Sequence, residues 1–498
     1  MHTAMLLEMA ADAGGDRIGL GPLEGGWTYG DLLLGARRAA ARLRRSGAAH
    51  ATLVGLNSDA VPLLLFGSAF ADIPFAPVNY RLDDERLHHV LTRLAPTLAV
   101  VDPEMIERVQ GVEGVEVVGR DEFLAALSDE GDGLTDPAEI DAEDIAILLF
   151  TSGTTGEPKA AVLRHRHLTA YIFMTVEFMG AGEDEAQLVS VPPYHIAGIS
   201  AVLSSVFAGR RIVYLPAFDT EAWVTAAAEH GISQAMVVPT MLNRILDEVA
   251  RRGITLPALR HVSYGGGRMP RAVIERAMGM LPGVRWVNAY GLTETSSTVA
   301  VLGPEDHDEA FASDDPAVRA RLGSVGRPLP SVELEVRDAS GQACPPGTKG
   351  EIYVRGEQIA GEYLGRSVLT DDGWFPTNDA GFLDADGYLF LDGRLDDVIV
   401  RGAENLSPGE IEDKLAAHPA VAEAAVVGVP DEEWGEKVVA AVVLQPDAEV
   451  TEAELQDWVR SELRSTKTPE RIQFRAELPH NETGKLLRRV LKSELAGL

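Results

Sequence analysis

Short runs of β-branched and aliphatic residues alternate with helix-like stretches along most of the 498-residue chain. Ala51–Leu56, Thr97–Val101, Ile145–Phe150, Ala235–Val238, Val262–Tyr264 and Arg285–Ala289 stay apolar instead of alternating, and several are bounded by Gly or Pro. Strands of that kind are covered on both faces, so this part of the chain reads as α/β with parallel sheets. Around Ser331–Arg337 and Gly350–Arg355 the pattern changes to polar–apolar alternation with Gly and Pro between the runs, which predicts a small, partly antiparallel β subdomain. Leu391–Arg401 sets a charged turn between two strand-like pieces. Beyond it lie helix patterns at Pro408–Ala417 and Thr451–Leu463 and apolar strands at Glu423–Val429 and Val438–Leu444. They suffice for a separate α+β domain, so the expected division is 1–395 and 396–498. Arg37–Arg45 carries its arginines at helical spacing beside Ala and Leu and reads as a solvated helix face.

Composition narrows the classes. The length exceeds what one hydrophobic core supports, and 46% hydrophobic with 24% charged residues fits a folded globular chain. The net charge of −32, from 44 Lys and Arg against 76 Asp and Glu, opposes nucleic acid as a partner. Any polyphosphate must therefore be held by local backbone donors and a few placed cations. A single cysteine, Cys344, forms no internal disulfide and fits a reducing, cytoplasmic setting. The N-terminus lacks a secretory pattern. The uncharged stretch Ala186–Gly209 contains Pro192, Pro193 and His195, so strand, loop and helix describe it better than a membrane span.

The candidate chemistry begins after the strand-like Ile145–Phe150, at Thr151–Ser152–Gly153–Thr154–Thr155–Gly156–Glu157–Pro158–Lys159. Two glycines let the backbone approach a ligand, hydroxyls and amides supply donors, and Lys159 adds charge. The spacing is not GxxxxGK followed by Ser or Thr, which disfavours a P-loop kinase or GTPase. By composition alone the loop fits a phosphate cradle and a plain connection equally. His165 and His167, two apart, lack the spacing and companions of a zinc site.

TSGTTGEPK does not stand alone. In order come PPYHIAG at Pro192–Gly198, GGGRMP at Gly265–Pro270, NAYGLTET at Asn288–Thr295, GEIYVRG at Gly350–Gly356 and TNDAG at Thr377–Gly381. DGRLDDVIVRGAENLSPGEIE at Asp392–Glu412 and LPHNETGKLLRR at Leu478–Arg489 follow. Together these stretches resemble the superfamily of adenylate-forming enzymes, which includes acyl-CoA synthetases, luciferases and peptide-synthetase adenylation domains, and resemble acyl-CoA synthetases most. The resemblance implies a large N-terminal α/β domain, a small mobile C-terminal domain, and an ATP- and Mg²⁺-dependent ligation of a carboxylic acid to a thiol.

It also implies roles. Thr151, Ser152, Gly153, Thr154, Thr155 and Lys159 would hold the β- and γ-phosphates. Thr293 would contact the α-phosphate, and Glu294 would help hold Mg²⁺, a hard cation suited to carboxylate and phosphate oxygens. Tyr290 and the Gly265, Gly266 and Gly267 backbone would bracket the adenine, Asn288 and Gly291 would belong to the same ATP/AMP site, and Asp379 would accept from both ribose hydroxyls with Arg394 beside it. Lys485 would bridge carboxylate and phosphate during adenylation. Asp396 would be the hinge, which a proline there should arrest. His195, Ile196, Val238, Thr240, Tyr264 and Ser297 would line the acyl pocket, and Arg401 and Gly402 the thiol channel. The chain departs from the family pattern in having Asn378 where glycine is usual, and His480 and Glu482 before the lysine.

The pocket positions are mostly uncharged, which suits a fatty or aromatic acid. No carrier domain follows the Lys485 motif, so the thiol is expected from outside, as CoA. A free-standing carrier protein as acceptor, an atypical adenylated group, and a nucleotide-binding scaffold without turnover are the alternatives.

Overall fold

The computed structural model describes residues 1–128, 139–152, 158–402, 404–431, 433–480 and 486–496. Its architecture is α/β. A nine-stranded sheet has parallel strands Arg285–Leu292, His261–Gly265, Gln234–Val237, Ala186–Val189, Arg211–Tyr214 and Ile18–Leu20 side by side, with antiparallel strands closing both ends. An eight-stranded sheet has Val115–Gly119, Thr97–Val101, His50–Val54, Phe75–Val78 and Ile145–Ser152 in parallel, then Pro158–Arg164 antiparallel. The apolar runs of the sequence are the inner strands of these two sheets.

Between the sheets lies helix Ala60–Ala71, whose residues are all buried. It packs on helix Tyr29–Ser46 so closely that a Cβ on Gly67 would stand 2.7 Å from that of Ala39, and one on Gly35 would stand 2.8 Å from Leu63. The arginines of the second helix are not simply solvated. Arg37 and Arg42 pair with Glu8 and Glu122, and Arg38 and Arg44 donate to the carbonyls of Leu127 and Phe70. Alanines on the same helix bring its backbone against neighbours, so these four side chains reach partners as well as water, while Arg45 is exposed. Ala186–Gly209 forms strand Ala186–Val189, a loop and helix Ile196–Ala208. Among the described residues no helix is long and apolar enough to cross a membrane.

Strands Glu333–Arg337, Gly350–Arg355, Phe375–Leu383 and Leu389–Arg394 form a wholly antiparallel four-stranded sheet. After the short 3₁₀ turn Leu395–Asp397, a five-stranded sheet carries helices Pro408–Ala416, Glu452–Arg460 and Arg488–Leu495. On its strand Val421–Asp431, Val426 belongs to one apolar cluster, while Ala425, Val427 and Val429 belong to another on the opposite face. That is the two-residue period of a strand buried on both sides. Both clusters consist of residues 399–495 alone.

Candidate active site

Strands Gln234–Val237 and His261–Gly265 end side by side, and Arg285–Leu292 runs on past them. At the end of His261–Gly265, a Cβ on Gly265 would lie 2.3 Å from the carbonyl oxygen of Ala289, so only glycine fits. Gly266, at φ +73°, faces Val238, and Gly267 faces Pro239, both within van der Waals contact of an added methyl. The glycines thus form a backbone wall against the start of helix Pro239–Arg252, beside Val238 and Thr240. Strand Arg285–Leu292 then turns sharply. A Cβ on Gly291 would overlap the Ser297 carbonyl, the 3₁₀ turn Thr293–Thr295 follows, and Ser296 and Ser297 sit at φ +54° and +105°. The Thr295 hydroxyl bonds to the backbone of Leu292 and Ser297 and pins the turn.

That turn delivers Glu294 to a buried position, 8% exposed. Its carboxylate accepts from the Tyr363 hydroxyl, and its carbonyl accepts from the Ala360 and Gly361 amides at 2.9 and 3.0 Å. Burial and then the Glu294 charge push the Tyr363 pKa upward, so the phenol stays a donor. Tyr363 pairs with Ala161 on strand Pro158–Arg164, and the Lys159 ammonium lies 5.8 Å from its ring centroid. Tyr363 escaped the sequence reading because a tyrosine in a two-residue strand bears no pattern of its own. Thr151 opposes Lys159 across the hairpin, its hydroxyl 3.4 Å from the Lys159 carbonyl, and Ser152 opposes Pro158. Gly153, Thr154, Thr155 and Lys485 lie outside the described residues.

A second buried carboxylate stands where the nine-stranded and four-stranded sheets meet. Asp379, 9% exposed, accepts from the Tyr290 hydroxyl at 2.6 Å on Oδ2 and from Arg394 Nη1 at 2.9 Å on Oδ1. Arg394 also donates to the Thr377 carbonyl, and the Thr377 hydroxyl accepts from the Asp379 amide. Register makes this possible, since Asp379 and Arg394 are direct partners on adjacent strands. Burial, then Asp379, raise the Tyr290 pKa, leaving its hydroxyl a fixed donor. Each Asp379 oxygen keeps a lone pair for a further donor. Asn378 takes φ +59° in this loop.

Other placements follow. Thr293 is half-buried in the same turn as Glu294. The Ser297 hydroxyl is 3.3 Å from that of Ser200 on helix Ile196–Ala208, which joins the strand to the helix that opens with His195 and Ile196. The His195 ring tilts against Tyr194, 4.8 Å between centroids. Asn288 directs its amide to the Ser324 carbonyl. Tyr264 is fully buried, and its hydroxyl meets His307 Nε2 at 2.8 Å, because strand parity turns it to the face opposite Gly265. His165 and His167 sit on helix His165–Thr175. Thr3 bonds to His165, and the Arg164 amide to His167. Burial lowers their pKa values to about 4 and about 3.

Arg401 and Gly402 contact their own domain, Arg401 through Thr466 and Glu470 and Gly402 against Trp434. Asp396 is exposed in the turn Leu395–Asp397 and accepts from the Asn378 amide. The turn revises the expectation for a proline at Asp396. Leu395 before it is helical, a conformation that a following proline disfavours. Leu395 itself is the better position, since Arg394 before it is extended at φ −79°, ψ 144°.

Residues 7–364 match the AMP-binding enzyme family, and residues 410–485 match the AMP-binding enzyme C-terminal domain. The chain belongs to the AMP-binding enzymes. Within that family it is 32% identical over 485 residues to the fatty acid–[acyl-carrier-protein] ligase ScoC of Streptomyces coeruleorubidus, covering 94% of this chain and 92% of that protein. It is also 32% identical over 469 residues to the feruloyl-CoA synthase of an Amycolatopsis species, covering 93% and 92%. The structure resembles o-succinylbenzoate CoA synthetase of Bacillus subtilis in complex with ATP and magnesium ion, with a TM-score of 0.84 and 28% identity over 98% of this chain and 99% of that one.

The AMP-binding site of this chain suits magnesium. Among the described residues no group of three or more His, Cys, Asp or Glu could hold a metal. Glu294 is a single buried carboxylate joined through Tyr363 to strand Pro158–Arg164. Mg²⁺ commonly takes one or two carboxylates and completes its shell with water and phosphate oxygens.

Proposed function

We propose that this AMP-binding enzyme is an ATP- and Mg²⁺-dependent acid–CoA ligase acting in the cytoplasm on a fatty or aromatic carboxylic acid. The Tyr290–Asp379–Arg394 network carries the reading: residues far apart in sequence hold a buried carboxylate rigidly, with lone pairs left for two vicinal hydroxyls. In the first step a carboxylate oxygen attacks the α-phosphorus in line, the bond to the β-phosphate oxygen breaks, and pyrophosphate leaves. In the second, a thiol sulfur attacks the acyl carbon, AMP departs, and the thiol proton passes to solvent.

Catalysis here is placement. Asp379 and Arg394 fix the nucleotide, Thr151 to Thr155 with Lys159 hold the leaving phosphates, and Thr293 meets the α-phosphate. Glu294 would hold Mg²⁺, which when bound offsets charge on the phosphate oxygens. Lys485 neutralises the repulsion between the two reacting anions. His195, Ile196, Val238, Thr240 and Ser297 receive the acyl group.

Residues 1–395 and 396–498 act as two domains that turn about Leu395–Asp397, so that Lys485 and the Arg401–Gly402 turn take turns at the site. The orientation described here serves adenylation. Arg401 and Gly402, which would line the thiol channel, pack instead on Glu470, Thr466 and Trp434 of their own domain, which supports this.

Incubating the protein with ATP, Mg²⁺, CoA and a panel of fatty and aryl acids should yield AMP and one acyl-CoA series. No AMP with any acid would refute the reading. A carrier protein as acceptor is favoured by the similarity to a carrier-protein ligase; it predicts AMP formation with acyl transfer to the carrier and none to CoA.

A further inference from the structure

We infer that Asn378 is a positioning residue for the two half-reactions: its side-chain amide holds the hinge carboxylate of Asp396 and biases the small domain toward the orientation described here. The inference rests on the two-orientation reading above. At φ +59° the backbone of residue 378 lies in the left-handed region, where glycine would be the default. Asparagine tolerates that region and adds a donor. Its Nδ2 reaches Asp396 Oδ2 at 2.9 Å, and its backbone amide donates to Glu351 Oε1 at 3.3 Å. From the other side, Arg394 reaches back to the Thr377 carbonyl and to Asp379. The loop that carries Asp379 and the turn that must pivot are therefore tied in both directions.

A second tie lies elsewhere on the interface. Arg268, immediately after the glycine wall, pairs with Asp413 on helix Pro408–Ala416. Gly409 of that helix leaves the space the guanidinium occupies, for a Cβ there would stand 1.9 Å from Arg268 Nη1. The Ser407 hydroxyl donates to the Asp392 carbonyl at 2.8 Å. Turning the small domain requires the Arg268–Asp413 pair to part. Motion about Leu395–Asp397 displaces the Asp396 carboxylate from Asn378. One bond to an exposed carboxylate is weak enough to break in each cycle and strong enough to shift a population several-fold.

Three variants test this, all with residues that tolerate positive φ. Asn378→Gly removes the donor, Asn378→Asp sets two carboxylates against each other, and Asn378→Asp with Asp396→Asn restores an amide–carboxylate bond with the partners exchanged. In a Cys344→Ser background, dyes at Asp308→Cys and Glu449→Cys report the domain orientation by energy transfer without substrate. We expect both single variants to depopulate the original orientation about three- to tenfold and the double variant to recover it. Thiolation of a supplied acyl-adenylate should gain relative to adenylation by a similar factor, with the ATP KM nearly unchanged. An orientation unchanged in all variants, or a shift that the double variant does not reverse, overturns the inference. So does a change confined to the ATP KM, which would assign Asn378 to the ribose loop alone. Because the dye measurement needs no acid, it stands even if the ligase reading fails.

Discussion

Asp379 in the large domain and Arg401 in the small one are both charged groups that the reaction would use, and their surroundings differ. Asp379 is 9% exposed, held by a tyrosine and an arginine from separate strands. Arg401 is turned onto Glu470 and Thr466 of its own domain, next to Trp434, which is 45% exposed. The proposed nucleotide corner is built from partners on two sheets, whereas on the proposed account the thiol side is presented by movement. Preorganisation belongs to the step that must align two anions. On the proposed account Arg401 serves only after the small domain has turned.

The strongest way to break this comparison is Lys485→Ala. Adenylation should fall roughly 10²–10³-fold, while thiolation of a supplied acyl-adenylate changes far less, because one preorganised charge acts in one step only. Rapid-quench measurement of each half-reaction checks it; equal losses would make Lys485 structural.

Next comes Asp379→Ala, which leaves Tyr290 and Arg394 without their shared acceptor. kcat/KM for ATP should drop about 10- to 100-fold, the range for a charge-assisted hydrogen bond. Should ATP affinity hold while only thermal stability falls, the network would be scaffolding instead of a nucleotide site.

Leu395→Pro sharpens the contrast between the halves. It fixes the first residue of the pivot turn in a helical φ, with Arg394 already extended. Adenylation should survive and thiolation should fall roughly tenfold or more. Asp396→Pro should instead impair adenylation as well, since it drives Leu395 out of the helical region.

The smallest effect concerns His480, bonded through Nε2 to Glu423 at 2.7 Å. That bond, then the Glu423 charge against the cost of burial, raises the imidazole pKa above its usual value. The stabilisation is therefore full below the unfolded pKa and disappears as pH rises through the elevated folded value. Against His480→Gln the wild type should be more stable by about 0.5 kcal/mol near pH 5.5 and lose that lead near pH 9. Melting curves of both proteins at the two pH values measure it.

Much of this was legible in the residues. Thr97–Val101 and Gly350–Arg355 are strands at the positions their patterns predict, because uninterrupted and alternating apolar runs have distinct burial. The charged turn after Leu391 is where the chain leaves one set of apolar clusters for another. Three things were not legible. Strand parity turns Tyr264 away from the glycines beside it, and sequence adjacency conceals that. Tyr363 reaches Glu294 because a two-residue strand joins strand Pro158–Arg164. The arginines of Arg37–Arg45 carry a helical period, but period does not disclose which partners lie within reach.

The central claim is that the chain activates a carboxylate as its adenylate. Adenylation is reversible and needs no thiol, so labelled pyrophosphate should exchange into ATP when Mg²⁺ and a suitable acid are present. Exchange that depends on the acid, proceeds without CoA and vanishes in Lys485→Ala is the expected result. No exchange across a broad panel of fatty and aryl acids, with CoA failing to elicit AMP, would contradict the account.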